Sequence, residues 1–288
     1  MPDPFQLLFP EATLPVAQDS GITAFARKVS HHVCLSESDH ADLAAILARN
    51  VRAVAGRRPV AEDAAGSVEI NIMLEGWACR YKTLGSGRRQ IVAIYLPGDV
   101  CNFDALLMAG PDQSIRAARG ACLAGICHAT LDHVVRTMPA ISHGLWWESV
   151  ASASIQRVWT VNVSRRSATK RLAHLLCELF TRLTAIGLNQ GWRCAVPLTQ
   201  ADLGQACGLT PVHTNRTIQE LRLLGLIALE GGMLEILDWD AMRMLADFDP
   251  DYLHLKRSIV ATSEQEQPRL HPVFMPPATP ATPQADHD

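Results

Sequence analysis

"LTPVHTNRTIQELRLLGLI", residues 209–227, opens like a helix and closes like one. Thr210 stands where an N-cap is needed, and Pro211 follows at the first helical position, where its missing N–H costs nothing. Gly225 supplies the stop. Turned at ~100° per residue, the segment puts Thr214, Ile218, Leu221 and Gly225 on one side. Val212, His213, Arg216, Gln219, Glu220 and Leu223 fall on the other. Just upstream, Thr199-Gln200-Ala201-Asp202 is a capping-box pattern that opens a short helix running to about Cys207 and stopped by Gly208. Two capped helices joined by a tight glycine turn read as a helix-turn-helix. The following LIALEGGMLEIL (226–237) reads as two short strands around Gly231-Gly232, a wing.

The polar side of the second helix is what a recognition helix needs, with one face packed on its scaffold and the other offering donors to base edges. Arg216 is the foremost base reader, since a guanidinium can bond guanine O6 and N7 together. Asn215 and Arg222 lie on a flank suited to phosphates. With the helix starts at Thr199, Gln200 and Thr210, and with Val212, His213 and Gln219, they complete the expected DNA-contacting set. Charge agrees: residues 163–226 carry eight Lys or Arg against three acids, +5 in a chain whose total is −3. Counterion release makes such a local excess count for more than overall charge.

The rest of the 288-residue chain is organised around that motif. At 48% apolar and 19% charged it is ordinary globular protein with enough apolar material for two domains. From about Ser20 to Asn50 the pattern is helical, with Ser36 and Asp39 as a second capping box. Residues 55–130 hold nine glycines that punctuate short apolar runs, VEINIMLEG, WACRYKTL, RQIVAIYL and CLAGI, as in an all-β domain. GSG at 85–87 reads as a hairpin tip, and the run from Arg89 to Leu96 as a strand buried on both faces. From about Pro139 to Ser164 the spacing is helical. Ile141, Leu145, Ser152, Ile155, Trp159 and Asn162 fall along one seam, for which a twofold partner is expected, with Leu145, Ser152, Ile155, Trp159 and Asn162 as the dimer contacts. RRSATK (165–170) breaks the period, and Leu172, Leu175, Leu176, Leu179, Leu183 and Ile186 mark a further helix. The expected layout is an extension over 1–19, a β domain with flanking helices over 20–135, a dimerisation helix and hinge over 136–166, a winged helix over 167–250, and a Pro-rich, disordered tail over 251–288.

Taken together, LTQADLGQACGLTPVHTNRTIQELRLLGLI, the stretch LEGWACRYKTLGSGRRQIVAIYLPGD and the long helix between them resemble the Crp/Fnr family of bacterial transcription regulators. The resemblance covers about residues 30–250. It implies an α+β chain with a cyclic-nucleotide-binding-type β jelly roll, a long dimerisation helix and a C-terminal winged helix-turn-helix on palindromic promoter DNA. Double-stranded promoter DNA and a second copy of the chain are the implied partners, with RNA polymerase if the protein activates. Two departures stand out. Many family members present a glutamate where this chain has Val212, and often a serine where it has Asn215, so only Arg216 carries over directly. The cAMP-binding members carry Gly-Glu after PGD and an Arg-Ser pair further on, where this chain has Asn102-Phe103 and Gln113. A buried cyclic phosphate without its arginine is costly to hold, so cAMP is not expected.

No other cofactor is expected. Oxygen-sensing members hold an iron–sulfur cluster on closely spaced N-terminal cysteines, and only Cys34 precedes the β domain here. Cys122 and Cys127, if on one strand, point to opposite faces about 17 Å apart, too far to share a metal or a disulfide. Core packing is the favoured reading of these thiols, with haem ligation by His128 or Cys79 as the alternative. His31 and His32 read as a solvated helix end. No nucleophile motif, phosphate-binding loop or zinc-protease spacing occurs, and no catalytic residue is assigned. With no basic leader pattern and no membrane-length apolar run, cytoplasmic placement and no membrane partner are expected. The competing reading makes the chain a small-molecule sensor whose C-terminal domain binds protein, distinguishable because DNA binding weakens steeply with salt.

Overall fold

The structure, a computed structural model, describes residues 14–60, 69–103 and 114–255. Most of the expected N-terminal extension, Gln113 and the Pro-rich tail beyond residue 255 lie outside the described residues. Two helices come first, α1 (Leu14–Ser30) and α2 (Glu37–Leu47). Ser36 caps α2 through a complete capping box with Asp39, as its spacing predicts.

Four strands follow: β1 (Val51–Val54), β2 (Glu69–Thr83), β3 (Arg89–Tyr95) and β4 (Ser114–Cys127). They make an antiparallel sheet in the order β1-β4-β2-β3. The runs VEINIMLEG and WACRYKTL are not two strands but one, because Gly76 is a bulge rather than a turn. Its φ is +74°, and a Cβ there would stand 2.0 Å from the Gly120 carbonyl oxygen. The β2–β4 register shifts between Met73 and Glu75 and again between Gly76 and Ala78, so the long pair can curve. GSG is the β2–β3 hairpin tip, closed by the Leu84 N–H donating to the Arg88 carbonyl at 2.8 Å. β3 lies at one end of this order; it buries Ile91, Ile94 and Tyr95 and only half-buries Val92 and Ala93, so it is not buried on both faces throughout.

A short helix α3 (His128–Thr137) leads into the 27-residue helix α4 (Pro139–Arg165), and after a break at Arg166–Ser167 into α5 (Ala168–Ala185). The seam expected to await a second copy is largely covered within the chain. Ile141 and Leu145 pack in one core with Phe25 and Val29 of α1. The approach is close: a Cβ on Gly144 would meet a Val29 methyl at 2.3 Å. Trp159 is buried against α5, its Nε1–H donating to both Glu178 oxygens at 3.1 and 2.9 Å. Asn162 is buried and donates to the Arg171 carbonyl. Ile155 is half-buried, and Ser152 alone of the expected dimer contacts is exposed. The period marked a buried stripe correctly, but α1 and α5 supply the cover.

The C-terminal unit adds β5 (Asn189–Gln190), β6 (Arg193–Ala195), α6 (Gln200–Cys207), α7 (Pro211–Leu223), β7 (Ile227–Glu230), β8 (Met233–Ile236) and α8 (Trp239–Ala246), ending in a 3₁₀ turn at Pro250–Leu253. Its sheet order is β5-β6-β8-β7, so the wing rests on a small hairpin that the sequence pattern did not single out. One core runs from this unit into the β domain, joining Leu172, Leu176, Phe180, Leu203 and Ile218 to Trp77, Cys79 and Ile91. Among the described residues no helix is long and apolar enough to cross a membrane.

Candidate nucleic-acid interface

Both helices of the motif start as their caps dictate. Thr199 accepts from the Asp202 N–H while Asp202 closes the box from below, and α6 ends on Gly208 with φ +66°. Thr210 accepts from the His213 N–H, and Pro211 occupies the first turn of α7. The packed face of α7 is Thr214, Thr217, Ile218 and Leu221, all buried. Gly225 lies beyond the helix and is exposed, whereas Thr217, missed by the spacing, is inside because its hydroxyl donates to the His213 carbonyl. Opposite, Val212, His213, Asn215, Arg216, Gln219, Glu220 and Leu223 are exposed, Val212 at 82%.

The nine expected DNA-contacting residues are not alike in what they leave free. Val212, His213, Arg216 and Gln219 share the outward face. Asn215 donates to Gln200 at 3.2 Å, which ties the start of α6 to α7. Thr199 and Thr210 are engaged as caps. Arg222, placed on the phosphate flank by its spacing, is half-buried and donates to the Leu229 carbonyl of β7. Its guanidinium therefore fastens the wing to the recognition helix. The wing turns at Gly231 and Gly232, both with positive φ, as a tight hairpin demands.

Farther back, α5 carries the charges on which this unit rests. Arg182 pairs with Glu178 and with Asp99 from the loop after β3, and Lys28 of α1 pairs with Asp99 and with Glu148 of α4. Burial pushes the Asp99 carboxyl up, but Lys28 and Arg182 outweigh it and hold the group below its usual range. Burial pushes Glu148 and Glu178 up, only partly offset by Lys28 and by Arg182 respectively. Asn102, where cAMP-binding members carry Gly-Glu, is spent on the fold. It accepts from the Asn71 N–H at 2.8 Å and donates to the Glu69 carbonyl at 2.8 Å. Cys122 and Cys127 both lie on β4, one buried and one exposed, and His128 begins the next helix. His31 is not a solvated end: it is buried against the Ala185 carbonyl at 3.2 Å, and His32 stacks on Trp147 with ring centroids 4.9 Å apart.

A β domain, a long helix and a winged helix-turn-helix with an open polar face have the architecture of a DNA-binding transcription regulator. Residues 170–245 match the model of the Crp-like helix-turn-helix domain. The chain is 30% identical over 202 residues to the nitrogen fixation regulation protein FixK of Bradyrhizobium diazoefficiens, covering 69% of this chain and 83% of that one. It is 25% identical over 162 residues to an anaerobic regulatory protein of Haemophilus influenzae, where the match covers 56% of this chain but only 63% of the relative. The same fold is seen in the solved structure of FixK2 from Bradyrhizobium japonicum, with a TM-score of 0.59, 21% identity, and coverage of 68% of this chain and 96% of that one. The chain belongs to the Crp/Fnr family of transcription regulators.

Proposed function

We propose that the protein binds promoter DNA as a homodimer and reads sequence through α7. The observation that carries this is the open face of a doubly capped helix, where Arg216, His213 and Gln219 stand free beside an exposed Val212. Arg216 serves a guanine edge, and Val212 offers apolar contact to a thymine methyl where a glutamate would have sought cytosine. A palindromic site needs two such helices about 34 Å apart. The second copy is met along the outer stripe of α4, where Trp146, Val150 and Val161 are 74%, 50% and 50% exposed. Their spacing puts them on one face, and an exposed tryptophan flanked by apolar residues is the kind of anchor that carries much of an interface's energy. With Asn102 committed to the fold, the β domain works without cAMP. RNA polymerase is the further partner if the protein activates.

Selection of bound duplexes from a randomised pool by the full-length protein tests this. Enrichment of a twofold-symmetric sequence is expected, with affinity falling steeply between about 50 and 200 mM salt. A pool without enriched symmetry would overturn the proposal.

A further inference from the structure

The α6 capping box does more than start a helix. One Asp202 oxygen closes the box, accepting from the Thr199 N–H at 3.0 Å and its hydroxyl at 2.7 Å. The other faces the β domain, where Arg57 and Tyr81 meet it. The Arg57 guanidinium donates to both Asp202 oxygens, at 3.1 and 3.3 Å, and the Tyr81 hydroxyl stands at 3.5 Å. At the far end of α6, Gln90 of β3 donates to the Ala206 carbonyl at 3.4 Å. The scaffold helix of the DNA-binding motif is thus gripped at both ends by side chains of another domain.

The turn that carries Arg57 is built to aim it. A Cβ on Gly56 would stand 1.6 Å from the Arg119 carbonyl oxygen, so the turn can lie this close to β4 only with glycine there. Arg57 itself adopts φ +65°, a left-handed conformation an arginine rarely takes. Its N–H donates to the Ala117 carbonyl at 2.9 Å, and the Ala117 N–H donates to the Arg58 carbonyl at 3.0 Å. Both flanks of the turn are therefore fixed to the sheet.

We propose that Arg57 is a positioning residue for DNA binding, holding α6, and through it the recognition helix, at one angle to the β domain. The inference rests on the DNA-binding role proposed above. From Asp202 the connection passes along α6 to α7 by the Gln200–Asn215 bond and by the close seat of Thr214 at Gly204, where a Cβ would be 2.5 Å from the Thr214 hydroxyl. The outer face of α7 is open in this arrangement, so the contact orients that face instead of masking it. A dimer must present two recognition helices at fixed separation, and a helix whose angle wanders binds in proportion to the time it spends in register.

The test uses the full-length protein and the duplex it selects. Arg57→Ala, at a side chain 57% exposed, should leave the fold intact and weaken operator binding about tenfold, by the same factor at every salt concentration. Arg57→Lys should recover most of the loss. Tyr81→Phe, which removes the second donor, should weaken binding about twofold to threefold. Unchanged affinity in Arg57→Ala would overturn the proposal. So would a log–log salt slope reduced by about one, because Arg57 would then be touching phosphate itself. Failure of the unaltered protein to select any sequence would instead count against the DNA-binding role.

Discussion

α4 and α7 are both half-buried helices, yet what each leaves to solvent differs. α7 buries threonines and aliphatics and exposes Arg216, His213 and Gln219, with Val212 and Leu223 beside them. α4 buries Glu148, Ser154 and Asn162 alongside its apolar residues and exposes Trp146, Val150 and Val161. A polar, cationic remainder fits nucleic acid, and an aromatic, aliphatic remainder fits another copy of the same surface. The side a helix does not use in its own fold is the better guide to its partner.

Four variants break or sharpen that contrast. The largest effect is expected on the inner side of α4. Trp159→Ala removes a buried ring and a donor to Glu178, and should cost about 3–5 kcal/mol of stability in urea unfolding. On the outer side, Trp146→Asp combined with Val150→Asp should weaken self-association at least about 100-fold, roughly 3 kcal/mol, while leaving the thermal midpoint of the monomer nearly unmoved. Sedimentation equilibrium that finds the dimer intact would place its seam elsewhere. For α7, Arg216→Ala should lose about 1–3 kcal/mol at the selected operator and relax preference at one base pair per half-site, as read by repeat selection. The smallest change is expected from Arg222→Ala. Losing its bond to the Leu229 carbonyl should cost about 0.5–1.5 kcal/mol of operator affinity with the salt slope preserved. A slope shallower by about one would show that Arg222 leaves the wing to meet a phosphate.

The ease of reading these regions from sequence follows the distance between the residues that decide them. The caps of α6 and α7, Thr199 with Asp202 and Thr210 with Pro211, act within one turn, so the motif and its outward face were legible directly. The wing was legible because Gly231-Gly232 falls between two apolar runs. Gly76 punctuates β2 ambiguously, because a turn and a bulge use the same residue and only the cross-strand approach of Gly120 distinguishes them. The α4 stripe is legible as a buried face but its cover by α1 and α5 is not, since periodicity reports that a face is buried and not by what. Asp202 and Arg57 are 145 residues apart, and nothing local to either marks the pair. Arg222 reads as free for a different reason: its acceptor, the Leu229 carbonyl, is near in sequence but lies on the strand beyond Gly225, where helical spacing no longer applies.

The eight thiols divide sharply by environment, and that has a kinetic consequence. Six are buried, and burial pushes Cys79, Cys194 and Cys207 up to about 12, with Cys101, Cys122 and Cys177 also raised. Cys34 and Cys127 are exposed, and hydrogen bonds from Thr130 lower the Cys127 thiol. Because the thiolate is the reacting species, a disulfide reagent should titrate two groups at once and the other six only as the structure opens. The buried six are distributed over β2, β4, α5, β6, α6 and the loop after β3, so the order in which they react would clock the opening of each part against the others, with no label introduced.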